Sequence, residues 1–158
     1  MLAGALAGGL VGTLVLTTGL RLAQELGWTR MDIPLLLGTA FTDKRRWASA
    51  IGYGVHFVNG LLFSFAYWAV FAATGEAGWL FGLLLGALHG VFAGSVLVNV
   101  LLPPVHPRMG TPLTDAEETP LLEPPGFLLR NYGRWTVGVT LLLHLAYGAI
   151  IGAFAAGL

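Results

Sequence analysis

The sequence predicts an all-α integral membrane protein: a four-helix bundle with a short interfacial helix after the first span and a long cytoplasmic loop between the third and fourth spans. Of the 158 residues, 56% are hydrophobic and 10% are charged, whereas about a quarter of the residues in soluble domains are charged. The uncharged residues form four long segments, and every charged residue lies between them. A mean hydropathy of +0.76 agrees with this fold class.

Each of the four apolar segments is long enough to cross a bilayer. A helix rises about 1.5 Å per residue and a hydrocarbon core is roughly 30 Å thick, so about 20 residues are needed. The first segment lacks the basic residues that precede the apolar run of a signal peptide, so we interpret it as a transmembrane helix. The predicted spans are residues 2–20, 47–73, 79–102 and 135–158 of a single transmembrane domain, 1–158.

The connections between the spans differ in length and character. Residues 21–46 are polar except for Met31–Phe41, which is too short to span. Pro34 can start a helical turn there, so we expect a short amphipathic or re-entrant helix at the interface. The second connection is the tight Thr74–Gly78, and the third is a long, polar, proline-rich loop that ends at Arg134.

The charge distribution predicts the orientation in the membrane. All eight Lys and Arg residues lie in the first and third connections, whereas the second connection and both termini have none. By the positive-inside rule, the first and third connections are cytoplasmic. Both the N- and C-termini are therefore expected on the non-cytoplasmic side.

Glycines recur every four residues on the first and third spans. Small residues at this spacing let another helix backbone approach closely, so we expect these faces to pack within the chain, in a homo-oligomer or against other membrane subunits. The third span, with the longest series, is expected to be the most enclosed. Apart from the lipid bilayer, no other partner is indicated, and nothing in the composition suggests nucleic acid. The two series are Gly4, Gly8 and Gly12, and Gly78, Gly82, Gly86, Gly90 and Gly94.

Three histidines are predicted to share one depth in the membrane. His56 and His144 each lie nine residues from a tryptophan at the cytoplasmic end of their span, and His89 lies ten residues from one at the opposite end. At about 1.5 Å per residue, all three fall near the midplane of the bilayer. An ionisable residue at that depth is a candidate functional group.

A cofactor is one interpretation of the three histidines. We expect at least two of the neutral imidazoles to hold a cofactor, with haem b and two axial rings as the preferred group and a transition metal such as Zn, Cu or Fe as the alternative. Asn59 and Tyr147 could hydrogen-bond the ligating rings. Arg21, Arg46 and Arg134, at the cytoplasmic span ends, could pair with haem propionates.

Two other interpretations remain open. Histidines commonly form interhelical hydrogen bonds, as expected of a structural or assembly subunit of a larger membrane complex without its own cofactor. A transporter of protons or a small solute is the third hypothesis, although no charged residue lies within a span. Because the chain has no cysteine, thiolate metal sites, Fe–S clusters and thiol chemistry are excluded. The sequence names no reaction, so whether the protein is an enzyme stays undecided.

A second polar cluster lies in the third connection. One imidazole and several carboxylates could hold a metal ion there, although such stretches are more often solvated loops. Its members are His106, Asp115, Glu117, Glu118 and Glu123.

Six segments distributed over nearly the whole chain carry a resemblance. They are MDIPLLLGTAFT (Met31–Thr42), GYGVHFVNG (Gly52–Gly60), LHG (Leu88–Gly90), HPRM (His106–Met109), LEPPGFLLRNYG (Leu122–Gly133) and HLAYGAIIG (His144–Gly152). Together they resemble an uncharacterised family of small bacterial four-span membrane proteins. The resemblance implies the bacterial inner membrane and a four-span layout, and it carries no activity or functional residue.

The orientation is tested by labelling a single cysteine introduced at Gly75, because the chain has no other. We expect an impermeant maleimide added to intact spheroplasts to label it. A cysteine at Arg108 should be labelled only after the membrane is broken. The reverse pattern would contradict the predicted orientation.

Overall fold

The computed structural model describes residues 1–109 and 122–157. Within these ranges the chain is helical and contains no strand. Two shorter elements are named for their geometry: the π segment, Ala93–Leu101, continues α4 directly, and the 3₁₀ segment, Phe127–Tyr132, precedes α5. The helices are α1 (Leu2–Glu25), α2 (Ile33–Gly38), α3 (Arg45–Thr74), α4 (Trp79–Phe92) and α5 (Thr136–Ala156).

Four helices are long and apolar enough to cross a membrane. They are α1 with 24 residues, α3 with 30, α4 with its π segment at 23, and α5 with 21. The all-helical class and the four candidate spans are thus confirmed, and they indicate a multi-pass membrane protein. Helix α1 continues past the predicted end at Leu20, and in its last turns Arg21 and Glu25 form an exposed ion pair of 2.7 Å.

Helices α4 and α5 pack backbone against backbone. A Cβ atom added to Gly82 would overlap the carbonyl oxygen of Gly148, and one added to Gly86 would overlap that of His144. In the other direction, Gly152 lies against Gly78 in the same way. This approach is what small residues at four-residue spacing allow. The glycine series of the third span is therefore used within the chain.

Helix α1 lies between α5 and α3. Gly8 packs against Ile151 of α5, and Gly9 on the other face packs against Ser64 of α3. A larger share of the apolar window is buried in α1 (39%) than in α4 with its π segment (28%), so the expectation that the third span is the most enclosed is wrong. The reason is that α4 packs closely against α5 alone, whereas α1 has a close neighbour on each side.

Helices α3 and α4 are joined by a tight turn, but their backbones do not pack closely. Aromatic side chains fill the space between them: Phe63 faces Phe92 at 6.4 Å between ring centroids, and Phe71 faces Phe81 at 5.7 Å. The helices therefore stand in the order α4, α5, α1, α3. The two outer helices of this row meet through side chains.

The short helix α2 lies within the stretch Met31–Phe41 where the sequence predicts one. Asp32 caps it by accepting a hydrogen bond of 3.0 Å from the Leu35 amide, and Pro34 occupies the first turn. It packs on the first turns of α3, where Gly52 lies against the carbonyl of Pro34 and Gly38 against that of Ala48. Its position at a membrane interface stays a prediction.

We expect the glycine positions at the α4–α5 contact to tolerate no larger residue. We expect Gly86→Ala to lower the free energy of unfolding by about 1–3 kcal/mol, since its methyl group forces two helix backbones apart. The measurement is the melting temperature of the purified protein in detergent. Gly138→Ala on α5 is the matched control, because nothing lies within 4 Å of the added carbon. Equal melting temperatures for the two variants would contradict the packing role.

Candidate functional site

A cavity of about 140 Å³ lies among the spanning helices, and the sequence-predicted site residues converge on it. Its lining includes side chains from α1, α2, α3, α4, the π segment, the 3₁₀ segment and α5. All five residues predicted for a cofactor line it: His56, Asn59, His89, His144 and Tyr147.

His89 and His144 are in direct contact. Their ring centroids are 4.8 Å apart and the rings are nearly perpendicular, at 82°. Gly90 makes room for this contact, since a Cβ atom there would lie 3.0 Å from the Cβ of His144. The Nδ1 atom of His89 lies 3.3 Å from the hydroxyl of Tyr67 on α3, and Phe63 packs on its ring with a centroid distance of 4.0 Å. The His89 ring is therefore held from both sides.

The hydrogen bond of His144 determines its tautomer. Its Nδ1 atom lies 2.8 Å from the carbonyl oxygen of Thr140, one turn earlier on α5. A carbonyl oxygen only accepts, so Nδ1 carries the proton. In the neutral ring, Nε2 then keeps its lone pair and can accept a hydrogen bond or bind a metal.

Two buried polar atoms on the cavity have no hydrogen-bond partner among the described residues. They are Nε2 of His56 and Oγ1 of Thr140. Thr140 is only 3% exposed. An unpaired buried polar group costs about 1–3 kcal/mol, so a water molecule or a ligand in the cavity would be a favourable partner for each atom. Both belong to residues that line the cavity.

Tyr147 ties two helices together beside the histidines. Its hydroxyl donates to the carbonyl oxygen of Gly60 on α3, so α5 is linked to α3 across the cavity. The side chain is 2% exposed and packs edge to face with Tyr67, with ring centroids 5.7 Å apart. The phenol oxygen still has lone pairs to accept a hydrogen bond.

The cavity has a polar end and an apolar arm. The polar end consists of the three histidines with Thr13, Asn59, Thr140 and Tyr147. The apolar arm extends from there toward α2 and the 3₁₀ segment. No Asp, Glu, Lys or Arg of the described chain lines either part. The side chains of the apolar arm include Leu16, Leu20, Leu36, Leu97, Val98 and Leu129.

Two irregular segments form the far wall of the arm. The π segment contributes Val98, and its Asn99 side chain donates to the carbonyl oxygen of Gly126 at 3.1 Å, which fixes the start of the 3₁₀ segment. In that segment Leu128 and Leu129 have φ of 52° and 60°, a left-handed backbone that is unfavourable for leucine. This backbone accompanies the burial of Leu129, which is 3% exposed, at the arm.

The three arginines proposed for propionates do not line the cavity. Arg21 pairs with Glu25, and Arg134 lies over the ring of Trp135 with 5.0 Å between its guanidinium carbon and the ring centroid. A role for Arg21, Arg46 or Arg134 at this site therefore gains no support from the geometry.

The second predicted metal cluster falls partly outside the described residues, where Asp115, Glu117 and Glu118 lie. His106 is buried, and both of its ring nitrogens are engaged: Nε2 donates to the Leu36 carbonyl at 2.8 Å and Nδ1 accepts from the Arg108 amide at 3.2 Å. In residues 1–109 and 122–157, no group of three His, Asp or Glu side chains is placed to hold a metal ion. His106 holds the loop against α2.

Glu123, another member of this predicted cluster, forms an ion pair. Its carboxylate pairs with Arg30 at 2.9 Å, which links the third connection to the first. Both side chains are largely exposed. The described members of the cluster thus hold loops together.

No family model, curated protein or solved structure matches this chain. The function is therefore inferred from the side chains that line the cavity.

The Tyr147 hydrogen bond provides a test of the cavity wall. We expect Tyr147→Phe to lower the free energy of unfolding by about 0.5–1.5 kcal/mol, because it removes the bond to Gly60 and leaves the ring in place. Tyr53→Phe, on the exposed face of α3, is the control and should leave the melting temperature unchanged. A Tyr147→Phe variant as stable as the control would show that the bond does not stabilise the wall.

Proposed function

We propose that this chain is a multi-pass protein of the bacterial inner membrane that binds a histidine-ligated metal centre, in a membrane redox context. The observation that carries the proposal is the convergence of His56, His89 and His144, from three different helices, on one cavity without charged side chains. Imidazole nitrogens in such a setting are neutral and therefore in the form that ligates metals.

The spacing of the His89 and His144 rings, which is also that of an ordinary edge-to-face contact, is compatible with a bare transition-metal ion bound to both. Two imidazoles that bind one tetrahedral ion through bonds of about 2.0–2.1 Å have ring centroids roughly 5 Å apart. The observed separation is 4.8 Å. The bond from His144 Nδ1 to the Thr140 carbonyl also matches the way in which ligating histidines are oriented, with the other nitrogen free for the metal. Among the described residues no three His, Asp or Glu side chains are placed to hold one ion together, so solvent or substrate ligands would have to complete the coordination.

Haem b fits the site less well. Two axial imidazoles on opposite faces of a macrocycle, with metal–nitrogen bonds of about 2 Å, have centroids roughly 6 Å apart. His89 and His144 are in contact at 4.8 Å, so no macrocycle fits between them. A cavity of 140 Å³ is also near the size that accepts a benzene molecule. Haem would need His56 as one ligand and a displacement of the helices.

A structural or assembly subunit without a cofactor is the second candidate. The contact between His89 and the Tyr67 hydroxyl joins α4 to α3 and is what a purely packing role would show. Under this candidate, water in the cavity could supply the partners of Nε2 of His56 and Oγ1 of Thr140. The two candidates differ in one measurable property, which is the presence of a metal.

The test is elemental analysis together with an absorption spectrum of protein purified through a tag that contains no histidine, from cells supplied with transition metals and haem precursor. We expect about one metal ion per chain and its loss in His89→Gln and His144→Gln, because each variant removes a ligand. His106→Gln is the matched control, since it removes a histidine outside the cavity. A Soret band that disappears in His56→Gln would assign haem b in place of the bare ion.

Colourless, metal-free protein would overturn the proposal and favour the structural subunit. Equal metal content in His89→Gln, His144→Gln and His106→Gln would also overturn it, because the metal would then be bound elsewhere. Each variant must give the same size-exclusion profile as the wild-type protein. A loss of metal can then be attributed to the missing ligand and not to misfolding.

A further inference from the structure

A second cleft opens near the place where α1 ends and α5 begins, and it shares no lining residue with the histidine cavity. It has a volume of about 520 Å³ and is lined by two short stretches, residues 27–30 of the first connection and residues 132–135 before α5. These stretches contribute two arginines, two tryptophans and no carboxylate. Because both charges in the lining are positive, the cleft attracts anions.

Hydrogen bonds join the two stretches and fix the shape of the cleft. The buried hydroxyls of Thr29 and Thr136 lie 2.7 Å apart. The Arg30 amide donates to the carbonyl oxygen of Tyr132 at 2.8 Å. The walls are thus in place before a ligand binds, and a preformed site loses less conformational freedom on binding than a flexible one.

Both arginines retain N–H groups or charge for a ligand. The Nη2 atom of Arg30 donates to the Glu123 carboxylate at 2.9 Å and to the Asn131 carbonyl oxygen at 2.7 Å, whereas a guanidinium has five N–H donors in all. Arg134 lies over the Trp135 ring, and neither ion pair of the described residues includes it. Glu123 therefore offsets one of the two positive charges, and the cleft keeps the other.

The two tryptophans of the lining are typical of a bilayer boundary. Trp28 is 51% exposed and Trp135 is 56% exposed, and each lies just outside the end of a candidate span. Tryptophan is enriched at this depth, where the lipid head groups meet the hydrocarbon. Leu22 and Leu26, in the stretch of chain that leads to the cleft, are exposed as well. An anion bound here thus has apolar surface nearby for hydrocarbon chains.

We propose that the cleft binds the phosphate of an anionic phospholipid, with Arg30 and Arg134 as the phosphate ligands and the acyl chains on the exposed apolar surface of α1. Guanidinium groups form charge-assisted hydrogen bonds with phosphate oxygens. The positive-inside rule places positive charge on both connections, but it does not require arginines from two connections to share one cleft. The proposal does not depend on the metal centre.

The test is native mass spectrometry of the protein released from micelles that contain phosphatidylglycerol or phosphatidylcholine with identical acyl chains. We expect one lipid adduct per chain and a stronger one with phosphatidylglycerol, because only this lipid has a net negative charge. Arg134→Gln should weaken that adduct about fivefold, which corresponds to about 1 kcal/mol. Arg21→Gln, near the same end of α1 but outside the cleft, is the matched control and should leave it unchanged.

Two further variants separate the effect of charge from the effect of loop structure. Arg30→Gln and Glu123→Gln break the same ion pair, but they change the charge beside the cleft in opposite directions. We therefore expect the phosphatidylglycerol adduct to weaken in Arg30→Gln and to strengthen in Glu123→Gln. Disruption of the loops would weaken the adduct in both variants.

Four results would overturn the proposal. The first is an equal adduct with the two lipids, which would show no selection for charge. The second is equal adducts in Arg134→Gln and Arg21→Gln, which would indicate a general attraction to positive charge. The third is a weaker adduct in both Arg30→Gln and Glu123→Gln. The fourth is an equally strong adduct with inorganic phosphate, which would assign the cleft to a soluble anion.

Discussion

The backbone contact between α4 and α5 is the constraint on which the cavity depends. Because Gly82 and Gly86 lie directly against Gly148 and Gly152, the two helices approach more closely than side chains would permit. The same closeness brings the rings of His89 and His144 into contact one or two turns away. Lipid supplies no hydrophobic force between helices, so this packing has to come from the shapes of the backbones.

The bundle is packed less closely between α3 and α4 than between the other neighbouring helices. Close packing in the row α4, α5, α1, α3 uses the small residues, and the large aromatic residues remain for the gap between α3 and α4. A bundle closed by glycine on every side would have no cavity at this depth. Tight packing on one side and aromatic filling on the other together leave one cavity with a polar end next to an apolar arm.

Much of the fold follows from the sequence, because segment length, charge placement and glycine spacing are local properties. Counting residues from the terminal tryptophans also predicts that His56, His89 and His144 share a depth. Which helix faces which is not a local property, so the partner of His89 is Tyr67, on a helix that the glycine pattern does not connect to it. The left-handed backbone at Leu128 and Leu129 is likewise not evident from the residues themselves, since leucine disfavours it.

The last glycine of the four-residue series on the third span has a different neighbour from the others. Gly94, the last glycine of the series, lies at the start of the π segment and packs against Leu128 of the 3₁₀ segment instead of α5. One regular series of glycines thus serves two different neighbours. Loss of a single residue between Phe92 and Asn99 would rotate Asn99 about the helix axis by roughly 80–100° and turn its side chain away from the loop that it anchors.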